Sequence, residues 1–273
     1  MSIRRLLRGQ LSEAELEEIA REAASRRGEG FESVRLLESD NWLSIPAVVN
    51  EEFFIKVISA QNTLVHGLLT TGRNIGVFTS GTEGFFERFG TPIGMAEHEL
   101  EATRQMRDLG VNAPEPIEAF EHDGYGVLVL EYLPAFDTLE TVSPDRAERV
   151  APELFDSLAT MHAAGLVHGD LRSENVLIRD GEVYFIDATK VDGDAIDDAR
   201  AYDIACALAA LEPRIGANHA VTAAAACYSD DVLLEAESFL DFVNMRPDHD
   251  FGVLAVKGEI EKVVEDLGRS GPS

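Results

Sequence analysis

The sequence predicts an α+β chain that runs as strands plus one helix, then as a hairpin followed by helices. Three observations carry this. The pairs Asn50-Glu51, Asp123-Gly124 and Asp180-Gly181 each separate two apolar, strand-like runs, the pattern of a tight hairpin. A single helical stripe, residues 96–109, stands between the first two of these hairpins. After residue 199 the remaining chain reads as helices, at about 199–211, 218–227, 231–243 and 256–267.

The elements follow in order. Ser12 opens "SEAE", a capping box with Glu15, and Leu11 with Leu16 forms a hydrophobic staple. Leu16, Ile19, Ala20 and Ala23 continue an apolar stripe and Gly28 is a stop, so a helix over 13–27 is expected to pack on the first lobe. "WLSIPAVV" and "FFIKVI" are the strands around the turn at Asn50-Glu51. Residues 59–95 hold seven glycines and no clear period, which reads as a long flexible insertion. The helix over 96–109 is closed by Gly110. "AFEHDGYGVLVLEYL" is the next hairpin. Ser143-Pro144 starts a helix as cap and first residue, Pro152 is expected to kink or divide it, and Ala164-Gly165 ends it. The domain reading is an N-terminal helical extension at 1–28, a first lobe at 29–133 containing the insertion, and a second lobe at 134–273.

Composition narrows the function classes. The 273 residues carry 23 basic and 50 acidic side chains, a net charge of −27. Such an excess repels phosphate, so strong non-specific nucleic-acid binding is not expected. Arg4, Arg5, Arg8 and the Arg26-Arg27 pair are local exceptions, read as an exposed solvated terminus. With an ordinary hydrophobic fraction the acidity implies a solvated surface of the kind suited to molar salt, rather than disorder. Cys206 and Cys227 sit in alanine-rich contexts without metal-ligand spacing, as in a reduced, cytoplasmic protein. No apolar run reaches the length of a membrane span, and no signal peptide is evident.

The chemistry concentrates in "VHGDLRSENVLI" and "RDGEVYFIDATK", residues 167–190. A turn at Asp180-Gly181 sets Arg179 opposite Glu182 and Asn175 opposite Ile186. Asp187 then lies one step beyond, beside Asn175, with Asp170 just upstream. Three oxygen-bearing side chains gathered at one rim suit Mg²⁺ held together with substrate phosphates. Elsewhere, Lys56 lies inside an apolar strand, where a buried ammonium needs an opposite charge. Glu99 is its candidate partner, on an inward stripe with Ala102, Met106 and Leu109.

"HGDLRSEN" resembles the catalytic loop of the protein-kinase superfamily, and "FIDATK" its metal-binding segment, with Ala188 and Thr189 in place of Phe-Gly. The His-Gly-Asp form without Lys two residues later resembles the RIO-type atypical kinases. Related lineages with this trait are small-molecule phosphotransferases and the kinase of the tRNA-threonylcarbamoyl complex. The resemblance covers about residues 31–267 and implies a bilobal protein-kinase-like fold, with a small antiparallel-sheet N-lobe and a mainly helical C-lobe. It implies ATP and Mg as cofactors.

The resemblance further implies roles. Asp170 would orient the acceptor hydroxyl and take its proton. Asn175 and Asp187 would hold the metal, and Asp187 could itself receive phosphate in an ATPase cycle. Lys56 would contact the phosphates, steadied by Glu99. "VLVLEYLP" resembles the hinge, whose backbone at Glu131 and Leu133 would meet adenine, with Leu130 behind the base. "LLESDNWLS" takes the place of the phosphate-covering loop but lacks its glycines, and Ser39 is the phosphate contact there. His168 and Asp203 would brace the loop.

Only fifteen residues separate Asp187 from Asp203, too few for a long activation loop, and no Ala-Pro-Glu follows. The leading expectation is therefore a RIO-type serine/threonine kinase or ATPase, whose partner would be a pre-ribosomal small subunit. A small-molecule phosphotransferase and a nucleotide-binding scaffold with little turnover are the alternatives.

Overall fold

The computed structural model describes residues 11–37, 44–60, 91–188, 196–246 and 249–269. Contacts divide these into two compact units. The first is built on the described residues up to 60, on 91–104 and on 114–134; the second on 105–113 and on the chain from 135 onward.

Up to residue 131, α1 (Glu13–Arg26) is followed by β1 (Val34–Leu36), β2 (Ile45–Val49), β3 (Phe53–Ile58), α2 (Pro92–Asp108), β4 (Pro116–His122) and β5 (Tyr125–Glu131). The five strands form one antiparallel sheet in the order β1-β2-β3-β5-β4. The alternation of a strand then decides which residue meets which helix. Phe53, Ile55 and Val57 of β3, with Val127 and Val129 of β5, share a core with Leu16, Ile19, Ala20, Ala23 and Ala24 of α1. The alternate residues Phe54, Ile58, Leu128 and Leu130 pack with Ala96 and Leu100 of α2. Each face of the sheet thus has its own helix, and Lys56 falls on the α2 face.

α1 carries the expected capping box, with the Ser12 hydroxyl accepting the Glu15 N–H and the Glu15 carboxylate accepting the Ser12 N–H. Arg26 and Arg27 are exposed, as expected, but they are held rather than free. Arg26 stacks over Phe120 at 4.5 Å and donates to Glu118, and Arg27 lies over the Phe53 ring at 4.9 Å. Their stems cover apolar surface while paired carboxylates neutralise them. Arg4, Arg5 and Arg8 lie outside the described residues.

α2 begins at Pro92, inside the stretch assigned to the insertion, four residues before the expected start. The reason is local. Pro92 takes the first helical position, and the Thr91 hydroxyl accepts the Gly94 N–H at 3.1 Å. Residues 61–90, the bulk of the expected insertion, lie outside the described residues.

The second unit is mainly helical. α3 (Pro144–Ala163), α4 (Ile196–Ala225), α5 (Asp230–Asn244) and α6 (Val253–Arg269) accompany a small sheet of β6 (Asp137–Thr138), β7 (Val176–Arg179) and β8 (Glu182–Phe185). Pro152 does not divide α3, which continues over 20 residues. The lost backbone bond is offset by the buried face of Val150, Ala151, Leu154, Phe155, Leu158 and Met161. The expected gap between two helices survives as a single non-helical residue, Gly216, at φ 78° and ψ 158°. The α+β class expected from the sequence, a small antiparallel sheet followed by a mainly helical unit, stands. Among the described residues, no helix is long and apolar enough to cross a membrane.

Candidate functional site

In the first unit the Lys56 ammonium lies 2.9 Å from Glu99 Oε1 and 2.8 Å from Oε2. Both residues are only 8% exposed. The pairing is a product of two periods. Lys56 faces α2 because it alternates with Ile55 and Val57. Glu99 faces the sheet because it sits on the stripe of Ala96, Ala102, Thr103 and Met106, all buried. Gly126 sets the distance between them. A Cβ there would lie 2.2 Å from the Pro92 carbonyl oxygen, so only glycine lets the first turn of α2 rest on β5. A buried ammonium and carboxylate are tolerable because each neutralises the other at two contacts.

Glu131 closes β5. Its N–H donates to the Glu115 carbonyl at 2.9 Å and its carboxylate accepts the Glu115 N–H at 3.1 Å. Any backbone contribution of Glu131 to a bound base therefore falls to its carbonyl. Leu133 and Leu130 are buried at 5% exposure each. Ser39 lies outside the described residues.

In the second unit the Asp180-Gly181 turn has the positive φ at both positions that its type requires, 56° and 92°. The register is the expected one, with Arg179 opposite Glu182 and Val176 opposite Phe185. One step further, the Ile186 N–H donates to the Asn175 carbonyl at 3.1 Å. That bond ties the turn containing Asn175 to the residue before Asp187. Asp187 is at φ 62°, the left-handed region that Asp tolerates better than most side chains.

The loop upstream is held from below. The fully buried Asp203 carboxylate of α4 accepts the His168 N–H at 2.6 Å and the Gly169 N–H at 2.8 Å. His168 Nε2 lies 2.9 Å from the Ile186 carbonyl, and its Nδ1 faces the Asp170 N–H at 3.4 Å. With Nε2 as donor, Nδ1 is the acceptor, which describes a neutral ring. Burial pushes the His168 pKa down, against the opposing pull of Asp203, Asp170 and Asp187. One imidazole thus links the backbone of Asp170 to the carbonyl preceding Asp187. His162, which carried no role in the sequence, completes the brace at 3.3 Å from Asp203 and 2.9 Å from the Tyr228 hydroxyl.

Asp170 is 8% exposed and its carboxylate meets two guanidinium groups. Arg246 Nη2 lies 3.1 Å from Oδ1 and Arg172 Nε 3.3 Å from Oδ2. Arg172 also pairs with Glu174, and Arg246 donates to the Tyr202 hydroxyl. Neither arginine was legible as a site residue. Arg172 had one available signal, its place two residues after Asp170. Arg246, in "NMRPDH", had none.

The donor set fits magnesium. The Asn175 side chain donates through Nδ2 to the Asp170 carbonyl at 2.8 Å, so its amide oxygen, together with the Asp187 carboxylate, would be the hard ligands available to a metal. Among the described residues no group of three or more His, Cys, Asp or Glu residues could hold a metal by itself. One acid and one amide suit a cation that brings its own phosphate ligands.

Comparison with known proteins follows this geometry. Residues 91–200 match the family model described as the RIO domain. The KEOPS complex subunit Bud32 of Pyrococcus abyssi is 31% identical over 118 residues, 42% of this chain and 52% of that protein. A probable bifunctional tRNA threonylcarbamoyladenosine biosynthesis protein of Methanothermobacter thermautotrophicus is 32% identical over 92 residues, 33% of this chain and 16% of that protein. The chain thus spans about half the length of the first relative and a much smaller part of the second. Among solved structures, an aminoglycoside-3'-phosphotransferase of type VIII is similar at a TM-score of 0.48 and 15% identity, over 82% of this chain and 99% of that one.

Proposed function

We propose that this chain, whose recognition as a RIO-type atypical kinase the family match bears out, binds ATP with Mg²⁺ and transfers or releases the γ-phosphate. One observation carries the reading. The Asp170 loop, the Asn175 turn and the residue before Asp187 are joined by His168 and Asp203 into a single braced unit. A polar loop without chemistry has no need of a fully buried carboxylate spent on two of its backbone N–H groups.

The roles follow the general scheme of phosphoryl transfer, in which positioning and charge neutralisation do most of the work. Lys56, held by Glu99, steadies the phosphates. Asn175 and Asp187 hold the metal, which when bound neutralises phosphate charge. Asp170 orients the hydroxyl or water that attacks and receives its proton. The carbonyl of Glu131 and the backbone of Leu133 meet the base, and Ser39 is assigned to the phosphates. The acceptor is a serine or threonine hydroxyl, or water in an ATPase cycle.

The pre-ribosomal partner expected from the sequence gives way to another. Two of the curated relatives carry names tied to the KEOPS complex or to tRNA threonylcarbamoyladenosine synthesis, which supports a place in a multi-subunit tRNA-modifying assembly. Co-purification from cell extract separates the two: proteins of such an assembly support this reading, and ribosomal precursors support the earlier one. The activity itself is tested by release of γ-phosphate from ATP in a single turnover with Mg²⁺. Asp170→Asn and Asp187→Asn are each expected to lower it by about 10²–10⁴-fold. Unchanged turnover in both variants overturns the assignment.

A further inference from the structure

The described residues contain one buried cation that the proposed reaction leaves without a purpose. Arg246 follows α5 in the chain, and its side chain is 7% exposed. Burying a guanidinium is expensive unless its charge is matched and its donors are used. Here Nη2 is matched by Asp170 Oδ1 at 3.1 Å, and Nη1 donates to the Tyr202 hydroxyl.

The surroundings explain how an arginine so far along the chain reaches the loop. Tyr202 is fully buried, and its ring packs edge-on against Phe239 at 6.2 Å and at a tilt against Phe242 at 5.9 Å, both on α5. The Arg246 guanidinium also lies 5.9 Å from the centre of the Tyr202 ring. The aromatic cluster therefore fixes the end of α5 against α4 and aims the residue that follows. Tyr202 and Asp203 are consecutive. Asp203 fixes the backbone of the loop at His168 and Gly169, while Tyr202 fixes the arginine that fixes the carboxylate of Asp170.

We propose that Arg246 is a positioning residue for phosphoryl transfer: through its contact with Oδ1, with Arg172 Nε at Oδ2, it sets the rotamer in which Asp170 meets the attacking hydroxyl. The inference rests on the function proposed above and extends it. An aspartate that must orient a nucleophile cannot swing, and a displacement of about 1 Å in such a group costs roughly a hundredfold in rate. Arg246 touches neither phosphate nor acceptor in this role, so its loss acts on the chemical step and leaves nucleotide affinity alone.

The test uses the full chain and ATP turnover with Mg²⁺, run beside Asp170→Asn. Arg246→Ala is expected to lower kcat roughly a hundredfold with KM for ATP within a factor of about two. Added guanidinium ion at millimolar concentration should restore part of that rate to Arg246→Ala and none to Asp170→Asn. Arg246→Lys, which keeps the charge but not the fork, should fall between. Arg246→Met, with similar volume, reports through its thermal unfolding whether the rate is lost by misfolding. Wild-type kcat in Arg246→Ala, or a loss of rate that guanidinium does not restore in a folded variant, overturns the inference. If Asp170→Asn loses turnover and Arg246→Ala keeps the wild-type kcat, the proposed function survives and Arg246 alone is wrong. If wild-type protein shows no turnover, the proposed function fails and the positioning role fails with it.

Discussion

The Lys56–Glu99 pair and the Asp170 loop solve the same physical problem, a charge kept nearly dry, by opposite means. Lys56 and Glu99 sit on a strand and a helix, and their pairing is a single two-point contact between regular elements. Asp170 sits on irregular backbone. It is held through the Asp203 carboxylate, the His168 ring, Asn175 and two arginines. A regular element positions a side chain by periodicity. A loop has no period to lean on, and each atom that matters needs its own hydrogen bond.

Experiments can break or sharpen that contrast. The largest expected effect is on the loop. Asp170→Asn or Asp187→Asn should lower turnover by about 10²–10⁴-fold while unfolding curves stay close to wild type. Comparable turnover in either variant would remove the chemical reason for the loop's bracing. Next comes the pair. Lys56→Met leaves the Glu99 carboxylate buried without its lysine and should cost about 3–5 kcal/mol in urea unfolding. Adding Glu99→Leu should recover much of that stability without recovering ATP binding. A double variant as unstable as the single one would mean that packing, not charge, dominates there.

Asp203→Asn keeps the shape but weakens two loop hydrogen bonds that end on a charge. A loss of about 1–3 kcal/mol is expected, together with faster hydrogen exchange at His168 and Gly169. Exchange rates unchanged at those two amides would show that the brace is redundant. Gly126→Ala probes the pair from the backbone side. The added Cβ meets the Pro92 carbonyl, so about 1–3 kcal/mol of stability and some ATP affinity should be lost together as α2 is pushed outward.

The smallest effect is a pH dependence. The His168 pKa is depressed by burial, so the unfolded chain binds this proton at a higher pH than the native one. Its contribution to stability is complete above the ordinary histidine range and is lost as pH falls from there toward the native value. Relative to wild type, His168→Gln should flatten the stability profile below about pH 6.5. Parallel profiles for the two proteins would count against a neutral, buried His168.

What could be read from the sequence divides along the same line. The capping box, the three hairpin turns, the stripe bearing Glu99 and the register that brings Ile186 onto Asn175 all follow from local chemistry with a fixed period, and the described residues show each of them. The start of α2 was readable in Thr91-Pro92 but was hidden by the glycines before it. α3 continues through Pro152 because the apolar surface the rest of the helix buries offsets the proline's cost. Arg246 was not readable at all. Its contact spans 76 positions and depends on an aromatic cluster that aims the end of a helix, which no spacing rule reports. Arg26 and Arg27 looked like a free basic arm because the aromatic rings beneath them lie on strands far along the chain.

The opening helix has a consequence for how this protein is cut for study. It looks like an appendage that could be trimmed at residue 29 to leave a tidier fragment. Yet its stripe of leucine, isoleucine and alanines roofs one whole side of the five-stranded sheet. A fragment beginning after it would present Phe53, Ile55, Phe120, Val127 and Val129 to water. That bare sheet would stick to its own kind, and failure of such a fragment to stay in solution would say nothing about the chemistry on the far side.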